Sequence, residues 1–364
     1  MSYIQKRLKF IFTGGTLAGN VSKDKVQAGV KSDPTGIMAL LKPSMDALMQ
    51  TWDVEVDASI IDLFNIDSSN VSPVYWTQII TAIEESYDDA DGYIIVHGTN
   101  TMGYTAAALS FALGNIGKPV IITGAQVPLG YLGSDANMNL VNAMRMAAWP
   151  HHDVKGVFAV FGSKIITGTR VKKGTDFDYD PFSSFQSGTI GQIGRYLKID
   201  NKALDIHNAY LARGGRVAGN AKALIIKKGF ATEGLVSLTE FPGMSPDIIT
   251  SQVDNNNAKG FIMRSFGAGD PNENLFPAFE YLKKKKIPIV VTTQAPGGLA
   301  NFQVNETGRY LRNNDLAIPA YDMSIESMTT KLAWLLAQGL DYETIKSKMI
   351  EDLHGEIHVG AELI

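Results

Sequence analysis

Short apolar runs rich in β-branched residues alternate along the chain with longer segments of helical periodicity. Residues 8–12 and 92–96 predict buried strands, and residues 54–61 alternate between polar and apolar positions as a half-buried strand does. Ser72-Pro73 is typical of a helix start, and apolar residues recur at helical spacing after it. Strands that alternate with helices in this way predict a mostly parallel sheet with helices on both faces.

Further elements are predicted in both halves of the chain. They are strands at 120–123, 156–161, 235–239, 260–265 and 287–292, and helices at 104–113, after Ser134-Asp135, and at 273–284, 323–336 and 342–353. The alternation weakens between residues 201 and 234, where residues 212–216 are polar and rich in glycine. We therefore predict an N-terminal α/β domain over residues 1–205, a linker region over 206–230 and a smaller C-terminal α/β domain over 231–364.

Composition and charge exclude several classes of protein. The 364 residues are 45% hydrophobic, which is enough for sizeable cores, and the formal net charge of −4 argues against a nucleic-acid partner. An apolar run of about 18 residues, as a membrane span needs, is missing from the sequence, and the chain has no cysteine. The apolar run near the N-terminus stops at Thr13, so it predicts a first strand rather than a secretory signal, and we expect a cytoplasmic protein.

Three clusters of small polar residues follow predicted strands. They are residues 13–16, which hold two threonines and two glycines, residues 67–70 and residues 97–101. Because ligands of open α/β sheets bind beyond the carboxyl ends of the strands, the clusters predict a pocket for a small hydrogen-bonding ligand, with the hydroxyls of Thr13 and Thr16 at its mouth. Taken singly, each cluster is equally consistent with ordinary turn chemistry.

Other site chemistries have little support in the sequence. No phosphate-binding glycine motif follows the first strand, and the six histidines lack the spacing of a zinc site, so we predict neither cofactor nor metal. His97 is predicted to be a core histidine with satisfied hydrogen bonds rather than a catalyst. The lysine run 283–286 is predicted to be the solvated end of a helix.

Two of the polar motifs resemble the signatures of the bacterial-type L-asparaginases, and the cytoplasmic type I branch most of all. The first motif is Thr-Gly-Gly-Thr-Leu-Ala at residues 13–18, and the second is residues 91–102, which contain His-Gly-Thr-Asn-Thr-Met. The match extends to residues 117–129, Ser134-Asp135, Asn139-Leu140, residues 241–243 and residues 264–267. This resemblance covers nearly the whole chain. It implies a two-domain asparaginase-like fold, an amino-acid amide as substrate, no cofactor, and a homodimer or homotetramer whose sites form between subunits.

The resemblance also implies roles for individual residues. Thr16 corresponds to the nucleophile that forms an acyl-enzyme, and Thr99 to the threonine of a second catalytic set. Lys173 corresponds to the lysine of that set, with Lys172 as an alternative. Ser68 corresponds to the serine that holds the α-carboxylate of the substrate.

The remaining residues of the implied site bind rather than react. Backbone groups near Ala125 are implied to contact the substrate amide, and Asp67 and Ser69 flank the serine that holds the carboxylate. Asn100 stands where the family has the aspartate that binds the α-ammonium of the substrate, and Asp270 is expected to reach the site from a neighbouring subunit.

Several positions depart from the pattern that the family shows. Asn100 and Asn70 replace aspartates, and Asp270 replaces an asparagine. The loss of the carboxylate at position 100 is expected to weaken ammonium binding and to lower the pKa of Lys173, while Asp270 could supply the missing anion. The flap, residues 17–35, lacks the family's tyrosine near its middle.

These departures leave three functions open. The first is the hydrolysis of L-asparagine to L-aspartate and ammonia. The second is the same chemistry on another amide, such as glutamine, a D-amino acid or an amide without a free α-amine. The third is a ligand-binding protein that keeps the fold and has lost turnover.

Overall fold

A computed structural model describes residues 3–15, 34–213 and 226–358 of the chain. It divides into two compact units, one formed by Met1–Ser184 and Gly188–Lys228 and the other by Phe185–Ser187 and Gly229–Ile364, as far as these residues are described. Thr16 and residues 17–33 of the predicted flap lie outside the described residues. None of the described helices is both long and apolar enough to cross a membrane.

The first unit contains ten strands and five α-helices among its described residues. In chain order they are β1 (Ile4–Gly14), α1 (Pro34–Trp52), β2 (Val54–Ile66), α2 (Pro73–Glu85), β3 (Gly92–Val96), α3 (Met102–Ala112), β4 (Pro119–Thr123), α4 (Ala136–Ala147), β5 (Gly156–Phe161), β6 (Lys164–Thr167), β7 (Val171–Lys173), β8 (Phe182–Ser184), β9 (Gly191–Ile193), β10 (Leu197–Ile199) and α5 (Asn201–Arg213).

Eight of these strands form one sheet, in the order β10-β9-β6-β5-β4-β3-β1-β2. The five strands from β5 to β2 in that order are parallel, as the sequence predicts, and β6, β9 and β10 add to the sheet antiparallel. Leu8, Phe10 and Phe12 alternate along β1 and share one core cluster with residues of α1 and α4. The parallel arrangement brings the carboxyl ends of β1, β2, β3 and β4 to one edge of the sheet, where the polar clusters stand.

The second unit is a smaller α/β structure with a four-stranded parallel sheet in the order β11-β12-β13-β14. Its elements are β11 (Leu235–Thr239), α6 (Asp247–Asn256), β12 (Gly260–Ser265), α7 (Phe276–Lys284), β13 (Ile289–Thr293), α8 (Glu306–Asn313), β14 (Ile318–Pro319), α9 (Ile325–Leu336) and α10 (Tyr342–Ile350). The predicted α/β class, with a larger first sheet and a smaller second one, is confirmed.

Several described helices differ from the sequence prediction. α1, α6 and α8 were not predicted, and the nineteen residues of α1 carry Pro43 inside the helix. α5 occupies Asn201–Arg213, where the alternation weakens in the sequence, and therefore overlaps the predicted linker region of 206–230. Packing supplies what the local pattern lacks, because Leu204 is buried in the same core cluster as β1.

A buried ion pair links the last described segment of the second unit to α9. The side chains of Lys331 on α9 and Glu356 are both fully buried, with Nζ and Oε1 2.6 Å apart. Lys331 Nζ also donates to the carbonyl of Met349 at 3.1 Å, and Glu356 accepts from the backbone N–H of His354 at 2.7 Å. Burial alone would raise the pKa of Glu356, but the neighbouring Lys331 charge and the hydrogen bonds hold it below its usual value.

Replacing Lys331 with methionine is expected to lower the free energy of unfolding by about 3 kcal/mol at pH 7, because Glu356 keeps a buried charge without its counter-ion. The loss should shrink as the pH falls, because a protonated Glu356 needs no counter-ion. Urea unfolding at fixed protein concentration measures both effects. Lys348→Met is the matched control, because Lys348 pairs with Glu351 at the surface, and its cost should stay within about 0.5 kcal/mol. Equal costs for the two variants would contradict the expectation.

Candidate active site

The three polar clusters predicted from the sequence come together at the carboxyl edge of the first sheet. The backbone N–H of Gly15 donates to the carbonyl of Ile66 at 3.1 Å. The hydroxyl of Thr101 donates to the carbonyl of Ser68 at 2.7 Å, which ties the turn before α3 to the turn after β2. A Cβ atom on Gly98 would lie only 2.6 Å from Ser68 Oγ, so this position requires glycine. The clusters therefore form one site instead of three separate turns.

Thr13, however, does not present its hydroxyl at the mouth of the site. Its side chain is buried, and Oγ1 donates to the carbonyl of Val96 at 2.9 Å, which links β1 to the end of β3. The expectation of a hydroxyl pointing into the pocket is wrong for this threonine, because the hydrogen bond between neighbouring strands satisfies it inside the sheet. Thr16 follows the described Gly15 by one residue and lies outside the described residues.

Thr99 and Lys173 are in direct contact. Lys173 lies at the end of β7, and its Nζ donates to Thr99 Oγ1 at 2.8 Å and to Asn100 Oδ1 at 2.9 Å. Thr99 is nearly buried. Neighbouring side chains of a strand point to opposite faces, so this contact distinguishes Lys173 from Lys172.

Burial lowers the pKa of Lys173, and the charge of Asp176 only partly opposes this shift. A lysine with a lowered pKa is unprotonated more of the time, and the unprotonated amine can accept a proton. The hydroxyl of Thr99 is placed to give that proton to Lys173. The direction of this shift agrees with the sequence expectation, but its largest cause is burial.

Asn100 connects this pair to the residues that follow β2. Its Nδ2 donates to Ser69 Oγ at 3.0 Å, and the N–H of Ser69 donates to Asp67 Oδ1 at 2.8 Å. Ser68 is buried, and its Oγ has no hydrogen-bond partner within the part of the chain that the structure describes. A buried hydroxyl of this kind is costly unless a ligand satisfies it, so Ser68 is a candidate ligand contact.

Ala125 lies buried in the loop after β4, and two polar side chains hold that loop, one from the residue before α4 and one from α4 itself. Both carboxylate oxygens of Asp135 accept backbone hydrogen bonds, from Gln126 at 3.0 Å and from Val127 at 2.9 Å. Asn139 donates to the carbonyl of Gly124 at 3.0 Å. Sequence reasoning placed Asp135 at the helix start and missed this role. The Asp-Asn spacing of four residues, which places both on one helix face, was the available signal.

Asp270 lies in the second unit and serves its own loop. Its Oδ2 accepts from the N–H of Ala268 at 3.0 Å and from Asn305 Nδ2. The loop runs through Gly267 and Gly269, both with positive φ, and closes on a bridge between Phe266 and Asp270. The structure therefore places this carboxylate in a local hydrogen-bond arrangement, and a contribution to a neighbouring subunit's site stays a prediction.

His97 is fully buried behind Thr99, as predicted for a core histidine. Its Nδ1–H donates to the carbonyl of Gly98 at 2.6 Å, and its Nε2 accepts from Thr105 Oγ1 at 3.0 Å. Thr105 in turn accepts from the indole N–H of Trp76 at 3.1 Å. Burial lowers the pKa of His97 to about 4, so the ring stays neutral at physiological pH and acts as a support for the Gly98-Thr99 turn.

Asn70 ends the short 3₁₀ turn after β2 and is exposed. Among residues 3–15, 34–213 and 226–358, no group of three or more histidines and carboxylates could hold a metal ion. The described site thus offers hydroxyls, amides, backbone groups, the carboxylate of Asp67 and one lysine. Such groups can bind a small polar ligand and transfer protons.

The described geometry is a threonine and a lysine in contact at the carboxyl edge of a parallel sheet, an arrangement that can transfer protons. The family model described as "Asparaginase, N-terminal" matches residues 7–205, and the "Glutaminase/Asparaginase C-terminal domain" matches residues 236–349. The chain belongs to the asparaginase family and is an amidohydrolase of that family. The family that the motifs indicated is thereby confirmed.

Individual relatives agree with this assignment. The chain is 33% identical to L-asparaginase 1 of Escherichia coli over 294 residues, which cover 80% of this chain and 82% of the relative. It is 30% identical to L-asparaginase of Thermococcus kodakarensis over 354 residues, covering 96% and 99% of the two chains. The crystal structure of L-asparaginase I from Vibrio cholerae superposes with a TM-score of 0.80 at 28% identity, covering 98% of this chain and all of that one.

Proposed function

We propose that the protein hydrolyses a short carboxamide, with L-asparagine as the reference substrate, to the carboxylic acid and ammonia through an acyl-enzyme on Thr16. The 2.8 Å contact between Lys173 Nζ and Thr99 Oγ1 carries the proposal. It supplies a base at the edge of the sheet where the described part of the first motif ends at Gly15, one residue before the proposed nucleophile. The asparaginase names of the relatives support the choice of reference substrate.

The proposed reaction has two halves. The hydroxyl oxygen of Thr16 attacks the carboxamide carbon, and the leaving nitrogen departs as ammonia with the proton that the hydroxyl gives up. Water then attacks the ester, which releases the acid and restores the Thr16 hydroxyl. Lys173 accepts the Thr99 proton, so that Thr99 can take the proton of the attacking water and pass it to Thr16, after which Lys173 returns its proton to Thr99.

The other contacts bind and orient the substrate. The unpartnered hydroxyl of Ser68 is proposed to donate to the substrate carboxylate. The loop held by Asp135 is proposed to place backbone groups of Ala125 at the amide oxygen, where negative charge develops. Following the resemblance, we propose that the active form is a homodimer or homotetramer.

Ammonia release tests this proposal directly. The purified protein is assayed with L-asparagine, L-glutamine, D-asparagine and succinamate, and we expect ammonia and the corresponding acid in equal amounts from at least one of them. Absence of turnover with all four amides, at protein concentrations that saturate the assay, would contradict the proposal and favour a ligand-binding protein of the same fold.

A further inference from the structure

The hydrogen bonds around Asn100 have a fixed direction. Lys173 Nζ donates to Asn100 Oδ1 at 2.9 Å, so the oxygen of this amide faces the lysine. The amide nitrogen must then face the other way, and Nδ2 donates to Ser69 Oγ at 3.0 Å. The direction holds in both protonation states of Lys173, because a neutral amine keeps two N–H groups and can use its lone pair toward Thr99.

This direction leaves donors on the side of the site that a ligand meets. Ser69 Oγ accepts from Asn100, so its own hydrogen points away from Asn100, and the second N–H of the Asn100 amide is also available. Ser69 and Asn100 are both exposed at this rim. The buried hydroxyl of Ser68 adds a further donor. Together with Lys173 they form a donor rim, by which we mean the side chains of Ser68, Ser69, Asn100 and Lys173.

A donor rim favours a ligand group that accepts hydrogen bonds. A carboxylate or a carbonyl oxygen meets this requirement, and a carboxylate also gains from the charge of Lys173 when that lysine is protonated. An ammonium has only hydrogens to offer. The amide oxygen of Asn100 has two lone pairs and already accepts from Lys173 with one of them, so an ammonium bound to the other would lie beside Nζ and be repelled by its charge when Lys173 is protonated. The ammonium would also lose hydration without meeting a full negative charge at Asn100.

We propose that the preferred substrates of this site are monoamides of short dicarboxylic acids that lack an α-ammonium group, of which succinamate is the simplest. This inference rests on the proposed function, because the carboxamide of such a compound is the group that Thr16 attacks. The rim side chains bind the carboxylate, and the position that an ammonium occupies in asparagine carries an uncharged substituent.

The test compares two amides that differ only in the ammonium group. We expect kcat/KM for succinamate to exceed that for L-asparagine at least about tenfold, or about 1.4 kcal/mol. In the Asn100→Asp variant a carboxylate replaces the amide with almost no change in shape. We expect kcat/KM for L-asparagine to rise at least about tenfold and that for succinamate to fall, so that the preference reverses.

Asn255→Asp is the matched control, because it adds the same charge on the exposed face of α6 in the second unit. It should leave both values of kcat/KM within about twofold. A wild-type preference for L-asparagine that Asn100→Asp leaves in place would overturn the inference. The inference would also be overturned if Asn255→Asp reversed the substrate preference as strongly as Asn100→Asp does.

Product binding separates this inference from the proposed function. Succinate and L-aspartate bind without turnover, and calorimetry on the wild-type protein measures both. Succinate binding at least about tenfold tighter than L-aspartate supports the inference even if no amide is hydrolysed. Tighter binding of L-aspartate overturns the inference even if ammonia is released from asparagine, in which case the proposed function stands alone.

Discussion

Replacing Lys173 with methionine is expected to lower kcat/KM for the preferred amide about ten-thousandfold, which is the upper end of what one acid–base group contributes. The methionine fills a similar volume but cannot accept the proton that Thr99 gives up at the 2.8 Å contact. Initial rates of ammonia release measure the loss. kcat should fall much more than KM rises, because Ser68, Ser69 and Asn100 of the donor rim still bind the carboxylate while the proton acceptor is lost.

Lys172→Met provides the comparison for this variant, because the two lysines are neighbours on β7 and point to opposite faces. Its effect should stay within about threefold, below about 1 kcal/mol. A loss of kcat/KM in the Lys172 variant as large as in the Lys173 variant would contradict the assignment of the base to Lys173. Retention of activity in Lys173→Met would remove the base from the mechanism altogether.

The pH profile gives the same assignment an independent readout. A base must be unprotonated to act, so kcat/KM should rise with pH until the pKa of Lys173 is passed, and burial places that pKa below the value of a free lysine. Asn100→Asp puts a carboxylate beside Nζ, which favours the protonated lysine and raises its pKa. The rising limb should therefore move to higher pH in that variant, and an unmoved limb would mean that another group titrates.

The parallel core of the first sheet was predictable because its strands carry a strong local pattern. Residues 92–96 and 156–161 are continuous apolar runs, and both become fully buried strands. By contrast, β7, β8, β9 and β10 have three residues each, which is too short for a period to show. Their pairing depends on neighbours distant in sequence, so local pattern could not predict them.

The site divides in a similar way. The motifs indicated Thr99, Asn100 and Ser68, because each follows a strand that the sequence predicts and corresponds to a site position of the family, although Asn100 stands there in place of an aspartate. The spacing of Asp135 and Asn139 indicates a shared helix face, but the hydrogen-bond partners of Asp135 and His97 could not be predicted, because they depend on which backbone groups the fold places beside them. His97 was expected in the core, but its donation to the Gly98 carbonyl is visible only in three dimensions. Local sequence specifies residue types at strand ends, and tertiary packing specifies their partners.

Replacing Thr16 with alanine is expected to reduce ammonia release at least about ten-thousandfold, because the acyl group then has no hydroxyl to which it can transfer. The remaining groups can still polarise the amide and position water, so a low residual rate is expected. Binding of succinate or L-aspartate should change little, since Ser68, Ser69 and Asn100 are unaltered. Activity assays and calorimetry on the same preparation measure the two effects separately.

Thr16→Ser is the conservative variant at this position. It should keep at least about a tenth of the wild-type rate, which corresponds to an activation free energy at most about 1.4 kcal/mol above that of the wild type, because it keeps the hydroxyl. In the wild-type protein, rapid acid quenching during turnover should trap the acyl group on the peptide that contains Thr16, as detected by mass spectrometry. The Thr16→Ala variant should show no adduct on that peptide. Full hydrolysis by the alanine variant would contradict the assignment of Thr16 as the nucleophile. An acyl adduct on Thr99 in that variant would contradict it too, and Thr99, in contact with Lys173, would then be the next candidate nucleophile.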